Sequence, residues 1–345
     1  MRRALLLLCL FSPAGALAQE WETVVPGGDT ICSDGSPYRF FIHRGDPAKL
    51  LVEFEGGGAC WSGATCDADI YNKSVTSDPE AARKNGQLQG IYDRANPANP
   101  LKDFTHVYIP YCTGDLHWGN TTADYKDFLG RPYVVQHKGA VNAATALNWA
   151  GVNVKAPSQV VVTGCSAGGY GAALWSAKIA QSYPGARMVE LADSAAGVVP
   201  QGFFGTTLTR WNVADAWPSF IPALAPERVD PAALSLPYLY SSIAGYFPTA
   251  AFSQFNTRSD TVQTFFYVLT KGSIAINDAA DWSTKMVGNV DQTSATTPAF
   301  RAYLAPGTDH CIINKASFYT QTVSGRKFSD WVTTLVSGGD PGQVR

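Results

Sequence analysis

Gly164-Cys165-Ser166-Ala167-Gly168 sets a serine between glycines where a β-branched run, Val160 to Val162, passes into a stretch rich in small residues. That is the G-x-S-x-G spacing of a serine nucleophile held on a tight strand-to-helix turn. Strained backbone at such a turn needs neighbours without side chains, and Gly168, Gly169, Gly171, Ala172 and Ala173 let a following helix lie close to the strand. A serine acting only as a helix N-cap explains one residue and not its flanks. A hydroxyl is a weak nucleophile near neutral pH and needs a base. Of His43, His106, His117, His137 and His310, only His310 follows Ser166, in a loop after the apolar run "FRAYLAP".

Serine, then acid, then histidine is the chain order of α/β-hydrolases. The acid holds the imidazole in one tautomer and stabilises its cation. Asp260 ends the run "AAFSQFNTRSD", one strand ahead of the histidine strand, and is the expected acid. Asp193, ending the strand after the nucleophile helix, is the alternative, and is expected to brace the pocket floor instead. The developing oxyanion needs N–H donors. "EFEGGGACW" offers Gly57 and Gly58 at the end of an early strand, and Ala167 follows the nucleophile. A phosphate cradle is disfavoured, because "GGGACW" lacks the P-loop lysine and does not fit G-x-G-x-x-G.

Cys165 precedes the serine and Cys311 follows the histidine. A disulfide holds its Cα atoms about 4.4 to 6.8 Å apart, so bonding these two would make Ser166 and His310 neighbours. Six cysteines outside the leader allow about 15 pairings. The proposed bond leaves Cys60 with Cys66 across a short loop and Cys32 with Cys112. Without a C-x-x-C pair or a histidine in ligand-like spacing, no metal site is expected.

The elements that must position these groups are visible as apolar runs. "KLLVEFEGGG", "FTHVYIPYC", "SQVVVTGCS", "ARMVELADS", "AAFSQFNTRSD" and "FRAYLAPGTDHC" are continuously apolar rather than alternating, as in a mostly parallel sheet covered by helices on both faces. The N-terminal part reads as an antiparallel hairpin. Tyr133 to Ala150 carries helical spacing and is expected to be the crossover helix of a β-α-β unit. From about 200 to 248 the chain turns rich in Pro, Trp and Phe, an insertion that reads either as a cap over a pocket or as aromatic filling of a small second core.

The chain opens with Arg2 and Arg3, a short apolar run and Ala16-Leu17-Ala18, the pattern of a signal peptide spanning 1–18. The expectation is a secreted or periplasmic protein, with 19–345 as one α/β catalytic domain. The apolar run is too short to cross roughly 30 Å of hydrocarbon, so no membrane anchor is expected. With the leader removed, 24 basic residues face 28 acidic ones, a balance that disfavours nucleic acid as a partner.

"EGGGAC", "YIPYCTGD", "GCSAGGYGA", "NTRSDTVQ" and "HC" occur in the order found in the pectin acetylesterase family of Notum-like serine esterases, which the chain resembles from about Cys32 to Cys311. The resemblance implies an α/β-hydrolase fold, a serine esterase acting on acyl groups carried by polysaccharide or protein hydroxyls, and no cofactor. It places the nucleophile on Ser166, the acid on Asp260, the base on His310 and the oxyanion donors on Gly57, Gly58 and Ala167. Flanking the catalytic pair with cysteines also resembles tannases, feruloyl esterases and some polyester depolymerases, where a disulfide joins the two positions. Plant members usually carry Trp before the cysteine of the glycine loop, whereas Ala59 stands here and Trp61 follows. These residues are expected to border the pocket, while Asp115, His117 and Trp118 of "YCTGDLHWGN" read either as further pocket lining or as structural residues of that loop. A hydrolase-fold module that binds carbohydrate without turnover is the competing reading.

Overall fold

The computed structural model describes residues 21–76, 78–272 and 278–345; the expected leader lies outside them. The first half of the chain forms β1 (Glu22–Val24), β2 (Phe40–His43), β3 (Asp46–Phe54), α1 (Gly63–Asp67), α2 (Pro79–Lys84), β4 (Phe104–Ile109), β5 (Thr121–Lys126), β6 (Pro132–His137) and α3 (Gly139–Asn153). The second half forms β7 (Gln159–Cys165), α4 (Ala167–Ser182), β8 (Arg187–Asp193), α5 (Phe203–Trp211), α6 (Leu236–Tyr246), β9 (Ala251–Thr257), α7 (Thr261–Thr270), α8 (Ala279–Thr296), β10 (Phe300–Ala305) and α9 (Phe328–Val336).

Eight strands make one sheet in the order β1-β2-β4-β3-β7-β8-β9-β10. The six strands from β4 to β10 run parallel, and β1 and β2 add an antiparallel edge. The parallel strands are apolar throughout because both faces are covered. Leu50, Val52 and Phe54 of β3 pack with Ala143 of α3 and with Ala172 and Trp175 of α4. Leu51, on the opposite face, shares a cluster with Phe255, Tyr303, Phe328 and Trp331. Each such side chain contributes roughly 1.5–3 kcal/mol by leaving water.

Two expectations change on contact with the fold. Tyr133 to His137 is not helical: it is strand β6, paired antiparallel with β5 from Thr121↔His137 to Lys126↔Pro132. Tyr133, Val134 and Val135 favour extended backbone, and their alternating burial gives this hairpin one covered face. The helix starts only at Gly139. The aromatic insertion between β8 and β9 makes no second core, because Phe204, Leu208, Trp211 and Tyr240 join the cluster that contains the sheet.

The parallel register brings the C-terminal ends of the strands level: Phe54 sits beside Gly164, Cys165 beside Asp193, Asp193 beside Phe255, and Thr257 beside Ala305. Loops leaving these ends share one edge of the sheet, where open α/β folds bind ligands.

Candidate active site

Ser166 lies between β7 and α4 with φ 58° and ψ −123°, a conformation that costs a non-glycine residue roughly 1–3 kcal/mol. The turn is over-determined by its surroundings. Ser166 N–H donates to the Asp193 carbonyl at 2.8 Å, and Gly169 N–H donates to the Ser166 carbonyl at 2.9 Å. The flanking glycines have a steric reason: a Cβ at Gly168 would stand 1.9 Å from the Phe54 carbonyl oxygen, and one at Gly164 would stand 2.3 Å from that of Gly168. Although Ser166 occupies the N-cap position of α4, its side chain makes no capping hydrogen bond. The hydroxyl is therefore not consumed by the helix.

His310 follows β10, and its Nδ1 lies 2.8 Å from Oδ2 and 3.1 Å from Oδ1 of Asp260. Asp260 is fully buried. As N-cap of α7 it also accepts N–H bonds from Val262 (3.0 Å) and Gln263 (2.9 Å), and a third from the Gln263 side chain (3.0 Å). The carboxylate is thus fixed before it meets the imidazole. The other ring nitrogen of His310 is buried and has no hydrogen-bond partner among the described residues. Cys165 and Cys311 are bonded, with Cα atoms 5.7 Å apart across a sequence separation of 146. Ser166 and His310 line the same cavity.

Asp193 plays a different part. Its Oδ2 accepts N–H bonds from Ile312 (2.6 Å) and Ile313 (2.9 Å), and its Oδ1 accepts from the Ser194 hydroxyl (3.1 Å). It clamps the loop that carries His310 and makes no hydrogen bond to the imidazole among the described residues. Burial pushes its pKa up to about 6, against the pull of those donors.

Gly57 and Gly58 follow β3 and line cavities that also hold Ser166, and Gly58 takes φ +79°. A Cβ there would meet the Ile70 carbonyl oxygen at 2.0 Å. Ala167 is the first residue of α4, where N–H groups have no intrahelical acceptor. None of the three N–H groups is taken by an acceptor among the described residues.

Ala59 and Trp61 line the cavity at Ser166 with Leu116, Phe203, Phe204 and Phe266. Asp115, His117 and Trp118 are not among its lining residues, which favours the structural reading of their loop over the pocket reading. Asp115 is buried behind the cavity, accepting from Thr113 Oγ1 (2.6 Å), His117 N–H (3.2 Å) and Gly139 N–H (2.8 Å). Trp118 donates its indole N–H to the Tyr170 carbonyl at 3.1 Å. Both organise the loop after β4. Cys32–Cys112 and Cys60–Cys66 are also bonded, so the cysteine sulfurs beside His137 and His310 are not free thiolates.

Sequence reasoning passed over Gln263 and Ser194. Gln263 braces Asp260 and accepts from Ala196 N–H at 2.8 Å, and its only signal is its place three residues after the acid. The Ser194 hydroxyl accepts from Cys311 N–H at 2.9 Å.

The family model described as pectinacetylesterase matches residues 23–210, more than half of the chain. The chain belongs to the pectinacetylesterase family. The match contains the glycine loop and Ser166 and ends before Asp260 and His310, so the pairing of those two stands on the geometry above. Pectin acetylesterase 5 of Arabidopsis thaliana is 27% identical over 167 residues, which are 46% of this chain and 37% of that protein. Palmitoleoyl-protein carboxylesterase NOTUM of Homo sapiens is 27% identical over 175 residues, 47% of this chain and 33% of that protein. The matched segment thus spans about a third of each relative. Among solved structures, the Wnt deacylase Notum from Drosophila superposes with a TM-score of 0.66 at 16% identity, covering 91% of this chain and 93% of that one. The likeness gives this family member an α/β-hydrolase fold.

Proposed function

We propose that the protein is an exported serine carboxylesterase that hydrolyses acyl esters, with acetyl esters of a polysaccharide or related polymer as the first reading. Ser166 is the nucleophile, His310 the base, Asp260 the acid, and Gly57, Gly58 and Ala167 supply the oxyanion hole. The observation that carries this is the Asp260–His310 pair opening on the cavity that holds an uncapped, strained Ser166.

His310 Nε2 takes the proton of the Ser166 hydroxyl as Oγ attacks the ester carbonyl. Asp260 holds Nδ1–H and stabilises the imidazolium that forms. Negative charge on the carbonyl oxygen is met by backbone N–H groups that have no competing partner. Collapse of the tetrahedral species expels the alcohol, which takes the proton from His310. Water, deprotonated by His310, then cleaves the acyl-enzyme and frees the acid. The leader at 1–18 would export the chain to a compartment in which its disulfides persist, and residues 200–248 would serve as the cap.

A specific observation favours longer or aromatic acyl groups as a second reading. Trp61, Phe203, Phe204, Phe266 and Trp282 extend the apolar lining well beyond what an acetyl methyl occupies. Hydrolysis rates on p-nitrophenyl acetate, butyrate and octanoate test both. Turnover abolished by Ser166→Ala is expected, and retained turnover in that variant would refute the assignment. Falling rates with chain length support the acetyl reading, and rising rates support the second.

A further inference from the structure

The glycines that follow β3 have little of their own to hold them. Without a Cβ each can take many backbone angles, yet donors for an oxyanion must stand in place before the charge develops. The far end of the loop is tied by the Cys60–Cys66 bond and by Cys60 N–H, which donates to the Gly114 carbonyl at 2.9 Å. Its middle is tied by Asn72 N–H, which donates to the Gly57 carbonyl at 2.8 Å. The near end is Glu55. Its N–H donates to the Ile109 carbonyl at 2.9 Å, and its carboxyl accepts from Tyr111 N–H at 2.8 Å. Its own carbonyl lies 2.8 Å from His117 Nε2. Among the described residues, no other side chain hydrogen-bonds the backbone from Glu55 to Gly58.

A carbonyl oxygen can only accept, so the proton of that bond sits on Nε2. His117 is buried, and burial lowers its pKa to about 4. Near neutral pH the ring is therefore uncharged, with its one proton on Nε2. The ring is wedged in place: it meets Phe54 edge-on with centroids 5.2 Å apart and Tyr111 at 4.9 Å. A Cβ at Gly171 of α4 would stand 2.9 Å from His117 Cδ2. The backbone is held as firmly, since His117 N–H donates to Asp115 Oδ1 at 3.2 Å and its carbonyl accepts from the Trp175 indole at 2.9 Å. Leu116 and His117 take φ +59° and +65°. Left-handed backbone at two successive residues with side chains persists only where the surroundings enforce it.

We propose that His117 is a positioning residue for the oxyanion hole: its Nε2–H fixes the Glu55–Gly56 peptide plane, and with it the direction in which the N–H groups of Gly57 and Gly58 point. His117 does not line either cavity at Ser166, so it acts through the loop. The proposal rests on the esterase reading. Loss of a whole oxyanion donor lowers rates by about 10²–10³, and a loop released at one of its ties should lose less. The same hole serves formation and hydrolysis of the acyl-enzyme, so misaligning it lowers kcat and leaves KM nearly unchanged.

The test uses His117→Leu, which keeps similar bulk without an N–H, and His117→Gln, which keeps an amide N–H at about the reach of Nε2. His117→Phe is the second donor-free variant should His117→Leu not fold. Steady-state hydrolysis of p-nitrophenyl acetate and hydrogen–deuterium exchange of the peptide carrying Gly56 to Gly58 are measured in each and in the wild type. In the donor-free variant the expected result is kcat at least tenfold lower, KM within about twofold, and faster exchange in the glycine loop; His117→Gln should keep kcat within about threefold of wild type. Wild-type kcat in the donor-free variant, or a tenfold loss in His117→Gln, would overturn the role, because packing of the ring and not its N–H would then be what matters. Absence of any ester turnover in the wild type would instead count against the esterase reading. The exchange measurement would still decide the positioning, with unchanged exchange in the donor-free variant overturning it.

Discussion

Two aspartates compete for one imidazole on paper, and their hydrogen bonds assign them separate tasks. Asp260 spends its lone pairs on His310 Nδ1 and on donors from the start of α7, whereas Asp193 spends its own on the backbone of Ile312 and Ile313. Asp260→Asn should lower kcat by on the order of 10³–10⁴-fold with little loss of stability, since it disturbs the tautomer more than the packing. Asp193→Asn should do the reverse, lowering the melting temperature by several degrees with a smaller effect on kcat. Steady-state kinetics and thermal unfolding of the two variants, measured side by side, separate the roles. A dominant kcat loss in Asp193→Asn would exchange them. Residue type and order alone single out Ser166, His310 and Asp260, and the structure puts Asp260 on His310 Nδ1 and lines one cavity with Ser166 and His310. They could not single out the Ser194 hydroxyl that holds Cys311 N–H, because that contact joins segments far apart in the chain and shows no spacing of its own.

At the scale of elements, the turn between β7 and α4 and the disulfide beside it carry the site. Gly168→Ala would drive a methyl to within 1.9 Å of the Phe54 carbonyl oxygen, and backbone cannot retreat as a flexible side chain can. Destabilisation of ~3 kcal/mol or more, or failure to fold, is expected in denaturant unfolding; wild-type stability would contradict the close packing of α4 on β3. The Cys165–Cys311 bond closes a long loop and, in the chain-entropy account, limits the unfolded chain by roughly 4–5 kcal/mol. Cys311→Ser should therefore lower activity and melting temperature together. A drop in stability with kcat/KM unchanged would show that the crosslink does not position His310. The strands were legible because both faces are buried and the runs are uninterrupted. Strand β6 was misread as helix because Tyr133 to His137 adjoins a helix whose apolar spacing runs on without a break, while its partner β5 declares itself only once the hairpin is formed.

Across the whole molecule, acidic side chains lie deep in the fold. Glu190 is fully buried, accepts from the Tyr240 hydroxyl at 3.1 Å, and is raised by burial to about 8. Glu53 rises similarly to about 8. A carboxyl raised above its unfolded value of about 4.5 binds its proton more tightly in the folded state. Stability from it is full below that value and is lost as pH climbs through the folded pKa. The buried histidines act oppositely, since His117 and His137 are lowered by burial to about 4, but their influence ends near the unfolded value of about 6.5. Between pH 6.5 and 8 the carboxyls act alone, and the unfolding free energy should fall by at most ~1.4 kcal/mol per pH unit for each group, lowering the melting temperature with it. Glu190→Gln, which keeps the shape and removes the titration, should flatten that slope, and an unchanged slope would contradict the assignment. Composition and the apolar runs gave this α/β architecture. They could not reveal that the aromatic insertion joins the main core, since that depends on contacts between distant segments.

The central claim is that Ser166 is an activated nucleophile, and active-site labelling reads it without knowledge of the substrate. Treatment with a fluorophosphonate followed by peptide mass spectrometry should find one adduct, on Ser166, formed much more slowly in Asp260→Asn. An unlabelled Ser166, or label spread over other serines at equal rate, would contradict the account.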